Sequence, residues 1–304
     1  MVDVYVPETL EEAVSFLGLH AGAAIPIAGG TDALIDIRTG RSMPEWLVDL
    51  SSVPRLGDVE LDGEVLRLGA LVRIRAVELD PELGRRATAI VEAARVLGSV
   101  QVRTMATVGG NLCHATPSAE MPPSLLVHDA VAEIAGVGGR RSIPLADLFA
   151  GPGRTTLGPD ELLTSLLARA PASSAGSCYL RQTVRWSMDL AGVGVSASVE
   201  VDGTVVTDAR VALAAVAPVP LLVEAASEAI VGTSLPPEAA REAGRRAAAA
   251  CSPISDARGT AGYRREVVSV LVPRALRIAW LRATGAWTQG VPAPVNGIST
   301  GEDL

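Results

Sequence analysis

The sequence contains no lysine, so arginine supplies all 26 of its basic residues. A Walker phosphate loop, a protein kinase and a pyridoxal Schiff-base enzyme each need a lysine amine at the reacting centre, and all three classes are therefore excluded. Histidine occurs only at His20, His114 and His128, without an H-E-x-x-H motif. A histidine metal site is not predicted.

Cysteine is also scarce, because the chain has only Cys113, Cys178 and Cys251, far apart and without a C-x-x-C pair. This pattern fits neither a disulfide framework nor a zinc ribbon, and the number excludes an iron–sulfur cluster held by four thiolates. No base and orienting group accompany Cys113 and His114 in a recognisable nucleophilic set. We therefore predict no metal ligand and no catalytic residue on this chain.

Basic residues are fewer than acidic ones, since 34 acidic and 26 basic residues give a net charge of -8. This balance offers no electrostatic footprint for nucleic acid or anionic lipid. The longest apolar stretch, residues 211–223, is interrupted by Pro218 and Pro220 and falls short of the roughly 18 to 20 residues that span a bilayer. No secretory signal is visible at the N-terminus. We predict a cytoplasmic protein with no membrane insertion and no nucleic-acid partner.

The length of 304 residues favours two domains, and local patterns predict their elements. Thr9 and Glu12 resemble a capping box before a short helix that ends near Gly18 or Gly22. Strands are expected at 24–28, 46–50, 65–70, 131–135 and 141–143, and a helix at 88–97. The first two strands predict a β-α-β unit, and we expect the later strands to form a mixed sheet.

Breaker-rich stretches at 151–153 and 171–177 predict a domain boundary near residue 175. Beyond it, strands are expected at 193–201 and 211–217, with Asp202-Gly203 as a hairpin turn. Helices are expected at 238–250 and 262–283, and Pro273 should kink or split the second of them.

Two glycine pairs carry the chemical information. The first loop is Ala28-Gly29-Gly30-Thr31-Asp32, and the second loop is Thr107-Val108-Gly109-Gly110-Asn111. Glycine lets successive backbone N–H groups converge on an anion, and a helix beginning near Thr31 would add its dipole. One such pair more often marks a simple turn, but two with similar flanks favour a dinucleotide pyrophosphate. The G-x-G-x-x-G spacing is absent, so an NAD-type fold is disfavoured.

Both loops resemble the FAD-binding loops of the medium, flavoprotein subunit of molybdenum hydroxylases, the family of carbon monoxide dehydrogenase and xanthine dehydrogenase. The second match continues through Leu112-Cys113-His114-Ala115-Thr116-Pro117-Ser118-Ala119-Glu120-Met121-Pro122, and shorter matches keep family order at 66–70, 159–163, 189–191, 256–258 and 263–265. The resemblance implies an α+β fold with a p-cresol methylhydroxylase-type FAD-binding domain at 1–174, whose two lobes lie at about 1–55 and 56–174. It also implies a C-terminal domain of a small antiparallel sheet and helices at 175–285. For residues 286–304 we predict an extended tail, mobile or laid along a partner.

The resemblance also implies cofactor contacts. Ala28, Gly29, Gly30, Thr31 and Asp32 would contact the FAD pyrophosphate, and Thr107, Val108, Gly109, Gly110 and Asn111 the diphosphate and the ribityl or flavin edge. His114 could touch the flavin edge or the pyrophosphate, and Glu120 would fix the far side of the cofactor. Leu163 would cover the isoalloxazine or be ordinary core. Arg181 stands near the flavin pyrimidine, where many relatives carry lysine, or is a surface arginine in an ion pair.

By the same resemblance, the chain is an electron-transfer subunit with bound FAD. Its partners would be a large subunit with molybdenum cofactor and a small subunit with two 2Fe-2S clusters, in a dimer of heterotrimers that reduces an external acceptor. One alternative is a stand-alone flavin reductase of the same fold, similar to UDP-N-acetylenolpyruvoylglucosamine reductase. Another is an assembly subunit that has lost flavin, although both glycine loops are intact.

Overall fold

The computed structural model describes residues 2–171, 173–185 and 188–287. The chain begins with a three-stranded parallel sheet in the order β1-β3-β2. Its strands are β1 (Asp3–Tyr5), β2 (Ala24–Ile27) and β3 (Trp46–Asp49), connected by helices α1 (Leu10–Leu19) and α2 (Ala33–Arg38). The predicted β-α-β unit is confirmed, and α1 begins after Thr9, whose side chain accepts a hydrogen bond from the N–H of Glu12. Helix α1 buries Ala13, Val14 and Leu17 against the sheet, whereas α2 buries no residue.

A five-stranded sheet follows, in the order β4-β5-β10-β6-β7. Its strands are β4 (Val59–Asp62), β5 (Val65–Gly69), β6 (Val131–Gly136), β7 (Gly139–Pro144) and β10 (Leu162–Arg169). All four neighbouring pairs are antiparallel, so the expectation of a mixed sheet was wrong. Two hairpins form its edges, and the late strand β10 enters between them antiparallel to both. Only pairing between residues far apart in sequence could decide that direction.

Short helices cover this sheet between β5 and β6. They are α3 (Ile74–Leu79), α4 (Pro81–Arg86), α5 (Thr88–Val96), α6 (Val100–Met105), α7 (Val108–His114) and α8 (Met121–Leu126). A small ribbon of β8 (Phe149–Gly151) and β9 (Arg154–Thr155) follows β7. Helices α5 and α8 bury their apolar faces in one continuous core with β5, β6 and β10.

The C-terminal part is a four-stranded antiparallel sheet packed on helices. Its elements are β11 (Ala175–Gln182), β12 (Val193–Asp202), β13 (Val205–Ala214), β14 (Leu221–Leu222), α9 (Glu224–Glu228), α10 (Pro237–Ala250) and α11 (Ala261–Ala283). The predicted hairpin at Asp202-Gly203 is present, and Gly203 has φ +62°. The positive φ explains why glycine occupies this turn.

Helix α11 is unbroken across Pro273, so the expectation that this proline could split the helix was wrong. Proline has no N–H to bond the carbonyl of Ser269, one turn earlier. Gly244 of α10 lies directly over this site, because a Cβ there would be 2.5 Å from the Ser269 carbonyl oxygen and 2.9 Å from Pro273 Cδ. Helix α10 therefore packs closely on α11 at the position where α11 continues through the proline.

Buried polar contacts join the C-terminal sheet to the helices of the middle segment. Glu92 of α5 pairs with Arg282 of α11 at 2.6 Å and accepts the N–H of Tyr179 at 2.8 Å. The Oγ of Ser177 accepts the N–H of Ala89 at 3.0 Å. Strand β11 is therefore attached to both α5 and α11, which fixes the position of the residues further along it.

The start of the predicted tail packs on its own chain. The N–H of Trp287 donates to the carbonyl of Leu281 at 2.9 Å, and the Arg282 guanidinium lies 5.2 Å from the indole centroid. The rest of that prediction, residues 288–304, lies outside the described residues. Among the helices that are described, none combines the length and the apolar character needed to cross a membrane.

Candidate functional site

The two glycine loops are neighbours in space. The first loop follows β2, and the second loop forms the start of α7. Gly29 of the first loop lies directly against the residues that precede the second, since a Cβ at Gly29 would be 2.1 Å from the carbonyl oxygen of Met105 and 2.9 Å from the Cα of Ala106. Only glycine allows this approach, so Gly29 is required for the junction of the two loops.

The first loop presents free backbone donors. Within the described chain, no acceptor is bonded to the N–H groups of Gly29, Gly30, Thr31 or Asp32. Gly29, Gly30 and Thr31 are half-buried and Asp32 is exposed, and Gly30 has φ +68°, in the left-handed region that favours glycine. Consecutive unbonded N–H groups around such a turn form a nest with affinity for anions. This loop can therefore receive a phosphate group without a lysine.

The second loop has already used its backbone donors. The N–H of Val108 donates to the Val72 carbonyl at 2.9 Å, and that of Gly109 to the Ala70 carbonyl at 2.8 Å. The N–H of Gly110 donates to the Thr107 side chain at 3.0 Å, and that of Asn111 to the Thr107 carbonyl at 3.0 Å. Backbone donation from 108–111 to an anion, as the glycine pattern suggested, is therefore not available in this structure.

Packing explains the glycines of the second loop. A Cβ on Gly109 would lie 2.7 Å from both the Cβ and the carbonyl oxygen of Ala70, at the end of β5. Gly110 is exposed and Asn111 is half-buried. The Asn111 Oδ1 is buried and has no hydrogen-bond partner within the described chain. An unpartnered buried amide oxygen is costly, so this atom is a candidate for a ligand contact.

His114 connects the helix of the second loop to the first loop. Its Nε2 lies 3.8 Å from an Asp32 carboxylate oxygen, and its Nδ1 lies 4.0 Å from one of Asp36. The neighbouring Cys113 packs against the apolar core, and burial raises the pKa of its thiol to about 12. The thiol is therefore protonated at neutral pH and is a poor nucleophile.

Glu120 and Arg181, 61 residues apart, form a buried ion pair. The Arg181 Nη1 donates to Glu120 Oε1 at 2.8 Å and to the Asp189 carbonyl at 3.2 Å. Burial raises the pKa of Glu120 to about 7, and the positive charge of Arg181 opposes that rise. Only 2% of the Arg181 side chain and 5% of the Glu120 side chain are exposed. The pair is thus covered by the protein itself.

The remaining candidates are in the interior. Leu163 lies on β10, opposite Ile134, in the large core of the middle segment. His128 is buried, with Nδ1 2.7 Å from the Arg169 carbonyl, and burial lowers its pKa to about 4, so it is neutral. His20 packs against Phe16 and Trp46 at the N-terminal sheet. Both of these histidines have structural surroundings, in agreement with their lack of motif context.

Sequence reasoning did not single out Arg73, which lies between the two loops. Its backbone forms an antiparallel bridge with Thr107, and its Nη1 donates to the Met105 carbonyl beside Gly29. Arg73 belongs to no recognised sequence motif, so only the folded structure could reveal its position.

Comparisons with known proteins are consistent with this geometry. Residues 1–167 match the family described as the FAD binding domain in molybdopterin dehydrogenase. Residues 178–279 match the carbon monoxide dehydrogenase flavoprotein C-terminal domain. The class of the protein is therefore a flavoprotein subunit of the molybdopterin dehydrogenases.

Similar proteins extend over nearly the whole chain. The medium chain of carbon monoxide dehydrogenase from Hydrogenophaga pseudoflava is 30% identical over 92% of this chain and 97% of its own length. The nicotine 6-hydroxylase medium subunit of Paenarthrobacter nicotinovorans is 30% identical over 89% of this chain and 94% of its own. A solved structure of the Hydrogenophaga pseudoflava enzyme superposes with a TM-score of 0.89 at 30% identity, covering 92% of this chain and 98% of that one. The chain belongs to the family of FAD-binding medium subunits of molybdenum hydroxylases, and it is an oxidoreductase subunit.

Proposed function

We propose that this chain is the electron-transfer subunit of a heteromeric molybdenum hydroxylase. Two relatives carry the names of subunits of a carbon monoxide dehydrogenase and a nicotine 6-hydroxylase, and each is matched over almost its whole length. The observation that carries the proposal is the first loop, whose four consecutive N–H groups have no acceptor in the described chain. A flavoprotein subunit needs such a site for the pyrophosphate of its cofactor.

The donor set fits FAD. The nest at Gly29–Asp32 suits a pyrophosphate, and the turn at Gly30 favours glycine. The Asn111 Oδ1, which has no partner among the described residues, suits a polar group of the cofactor. When bound, FAD supplies two-electron and one-electron redox chemistry that no side chain can perform. The chain's own residues would bind and orient it, with Ala28–Asp32 on the pyrophosphate and with Asn111 and His114 beside it. Val108, Gly109 and Gly110 would shape the side of the FAD site formed by the second loop, because their N–H groups are hydrogen-bonded within the protein.

The buried pair of Glu120 and Arg181 would influence the cofactor electrostatically, without contact through an exposed surface. Both side chains are almost fully covered, and Arg181 keeps a positive charge that can stabilise negative charge on a reduced ring. Leu163 would contribute apolar surface near the isoalloxazine from its place in the core. We assign no general acid, general base or nucleophile to the chain.

The predicted organisation completes this proposal. A p-cresol methylhydroxylase-type FAD-binding domain would occupy 1–174, with lobes at about 1–55 and 56–174, and a C-terminal domain would occupy 175–285. The partners would be a large subunit with molybdenum cofactor and a small subunit with 2Fe-2S clusters, in a dimer of heterotrimers. Electrons would pass from those clusters to FAD and then to an external acceptor. A cytoplasmic location stays a prediction.

The test is to purify the chain with whatever co-purifies, to record its visible spectrum, and to assay iron, molybdenum and the subunit pattern. We expect flavin absorbance near 450 nm, together with iron, molybdenum and two further chains. A homogeneous single chain that contains flavin and is active alone would contradict the proposal and favour a stand-alone reductase. A complex with iron and molybdenum but no flavin would favour an assembly subunit.

A further inference from the structure

We propose that Arg73 binds the phosphate part of the flavin nucleotide, as the cationic side chain of the pyrophosphate site. This inference rests on the proposed function, because it assumes that FAD occupies the first loop. Arg73 lies directly before α3, and its backbone bridges to Thr107, the first residue of the second loop. Its guanidinium bonds the Met105 carbonyl, the same atom that a Cβ on Gly29 would meet at 2.1 Å. Arg73 is thereby attached to the point where the two loops meet.

Several cations near the loops are already paired with carboxylates, whereas Arg73 is not paired with any described residue. Arg41 is paired with Asp36 at 2.8 Å, and His114 lies between Asp32 and Asp36. Further along the chain, Arg75 and Arg103 both pair with Glu78, at 2.8 Å and 2.7 Å. In contrast, no carboxylate lies within 4.0 Å of the Arg73 guanidinium in the part of the chain that the structure describes. No ion pair among the described residues therefore occupies this guanidinium.

The chemistry of the site requires such a charge. A pyrophosphate is anionic, the four N–H groups of the first loop are neutral donors, and Asp32 in the same loop is acidic. Because the chain has no lysine, arginine is the side chain that can supply a permanent cation. A guanidinium has five N–H donors in a planar fork, and one nitrogen of Arg73 is bonded to Met105. Other donors remain for phosphate oxygens, and an arginine–phosphate contact is commonly bidentate.

The experiment measures binding of FAD, ADP and riboflavin to the full chain, with any partner chains that co-purify, after removal of bound flavin. We expect Arg73→Gln to weaken FAD and ADP binding about 10- to 100-fold, the range for loss of charge-assisted hydrogen bonds, and to leave riboflavin binding unchanged. Arg73→Lys should recover part of the lost affinity, since it keeps the charge but not the fork. The FAD affinity of Arg73→Gln should also depend less on salt concentration than that of the natural chain.

Arg75→Gln is the matched control, because it removes the same charge two residues away while Glu78 keeps its pair with Arg103. It should leave the affinity for all three ligands unchanged. Equal losses of FAD and riboflavin in Arg73→Gln would reveal a structural role and overturn the inference, as would unchanged binding of all three. If the natural chain binds riboflavin and FAD equally or binds neither, the pyrophosphate site itself fails, and the proposed function falls with it.

Discussion

The two glycine loops are similar in sequence, but their backbones do different work. Four N–H groups of the first loop have no acceptor among the described residues, whereas the second loop donates its N–H groups to Ala70, Val72 and Thr107. The reason is position in the fold: the first loop leaves β2, an edge strand of its sheet, while the second lies against carbonyls at the end of β5. A glycine pair can thus form an anion-binding nest or a packing joint, meaning a close contact between two backbone segments. Which of the two forms depends on whether backbone acceptors lie near its N–H groups.

The largest effect is expected for Gly29→Ala, which breaks the first loop. The new Cβ would lie 2.1 Å from the Met105 carbonyl, so the loop would have to move away and its N–H groups would lose their common direction. Loss of two charge-assisted hydrogen bonds predicts FAD binding weakened by about 100-fold. Fluorescence titration with FAD measures this effect. Gly57→Ala, where a Cβ would have no neighbour within 4 Å, is the control and should bind normally.

Gly109→Ala sharpens the comparison, because a change in the second loop should lower the stability of the protein more than its affinity for FAD. Its Cβ would lie 2.7 Å from Ala70, and overpacking of this kind lowers the free energy of unfolding by about 1 to 3 kcal/mol. Denaturant unfolding measures the loss, and FAD affinity of the folded protein should fall less than in Gly29→Ala. Gly84→Ala, in open space on α4, should not destabilise the chain. Unchanged stability of Gly109→Ala would show that the second loop is not a packing joint.

The pH dependence of the free energy of unfolding tests the buried pair of Glu120 and Arg181, which lies beyond the second loop in the sequence. The pKa of Glu120 is raised by burial from 4.5 to about 7, so the folded chain holds this proton more tightly than the unfolded chain. The free energy of unfolding should therefore decrease as the pH rises from about 4.5 to about 7, by at most about 3 kcal/mol from this group. In Glu120→Gln this decrease should be smaller. Glu228→Gln, at an exposed position on α9, should keep the natural slope, and an equal slope in both variants would refute the assignment.

The smallest effect is expected for Thr107→Ala, which removes the N-cap of α7. The Thr107 side chain accepts the N–H of Gly110, and loss of such a cap costs about 1 kcal/mol. Thermal unfolding should report this loss, and Thr107→Ser should retain most of the stability because its hydroxyl can accept the same bond. A strong selective loss of FAD binding in Thr107→Ala, without loss of stability, would mean that the second loop contacts the ligand more directly than its hydrogen bonds suggest.

Local signals were sufficient for much of the fold. Thr9 caps α1, Asp202-Gly203 turns a hairpin, and the helix predicted at 88–97 appears as α5. Each depends on residues within a few positions of one another, where spacing and hydrogen bonding act together. Strand β10 was not predicted, and its antiparallel pairing with β5 and β6 depends on residues that are distant in sequence. The prediction that Pro273 kinks or splits the last helix was wrong about the split, because α11 is continuous there.

The sequence by itself determined the N-terminal β-α-β unit, the hairpin at Asp202-Gly203, the two glycine pairs and the family to which the chain belongs, since these are written in local spacing and residue type. Only the tertiary structure decided that the N–H groups of the first loop have no acceptor within the described ranges, that Glu120 and Arg181 pair across 61 residues, and that Arg73 lies between the loops. The physical reason is that a backbone donor or a charge is available only if no acceptor or counter-charge packs against it. That condition depends on the surrounding fold and cannot be read from the residue alone.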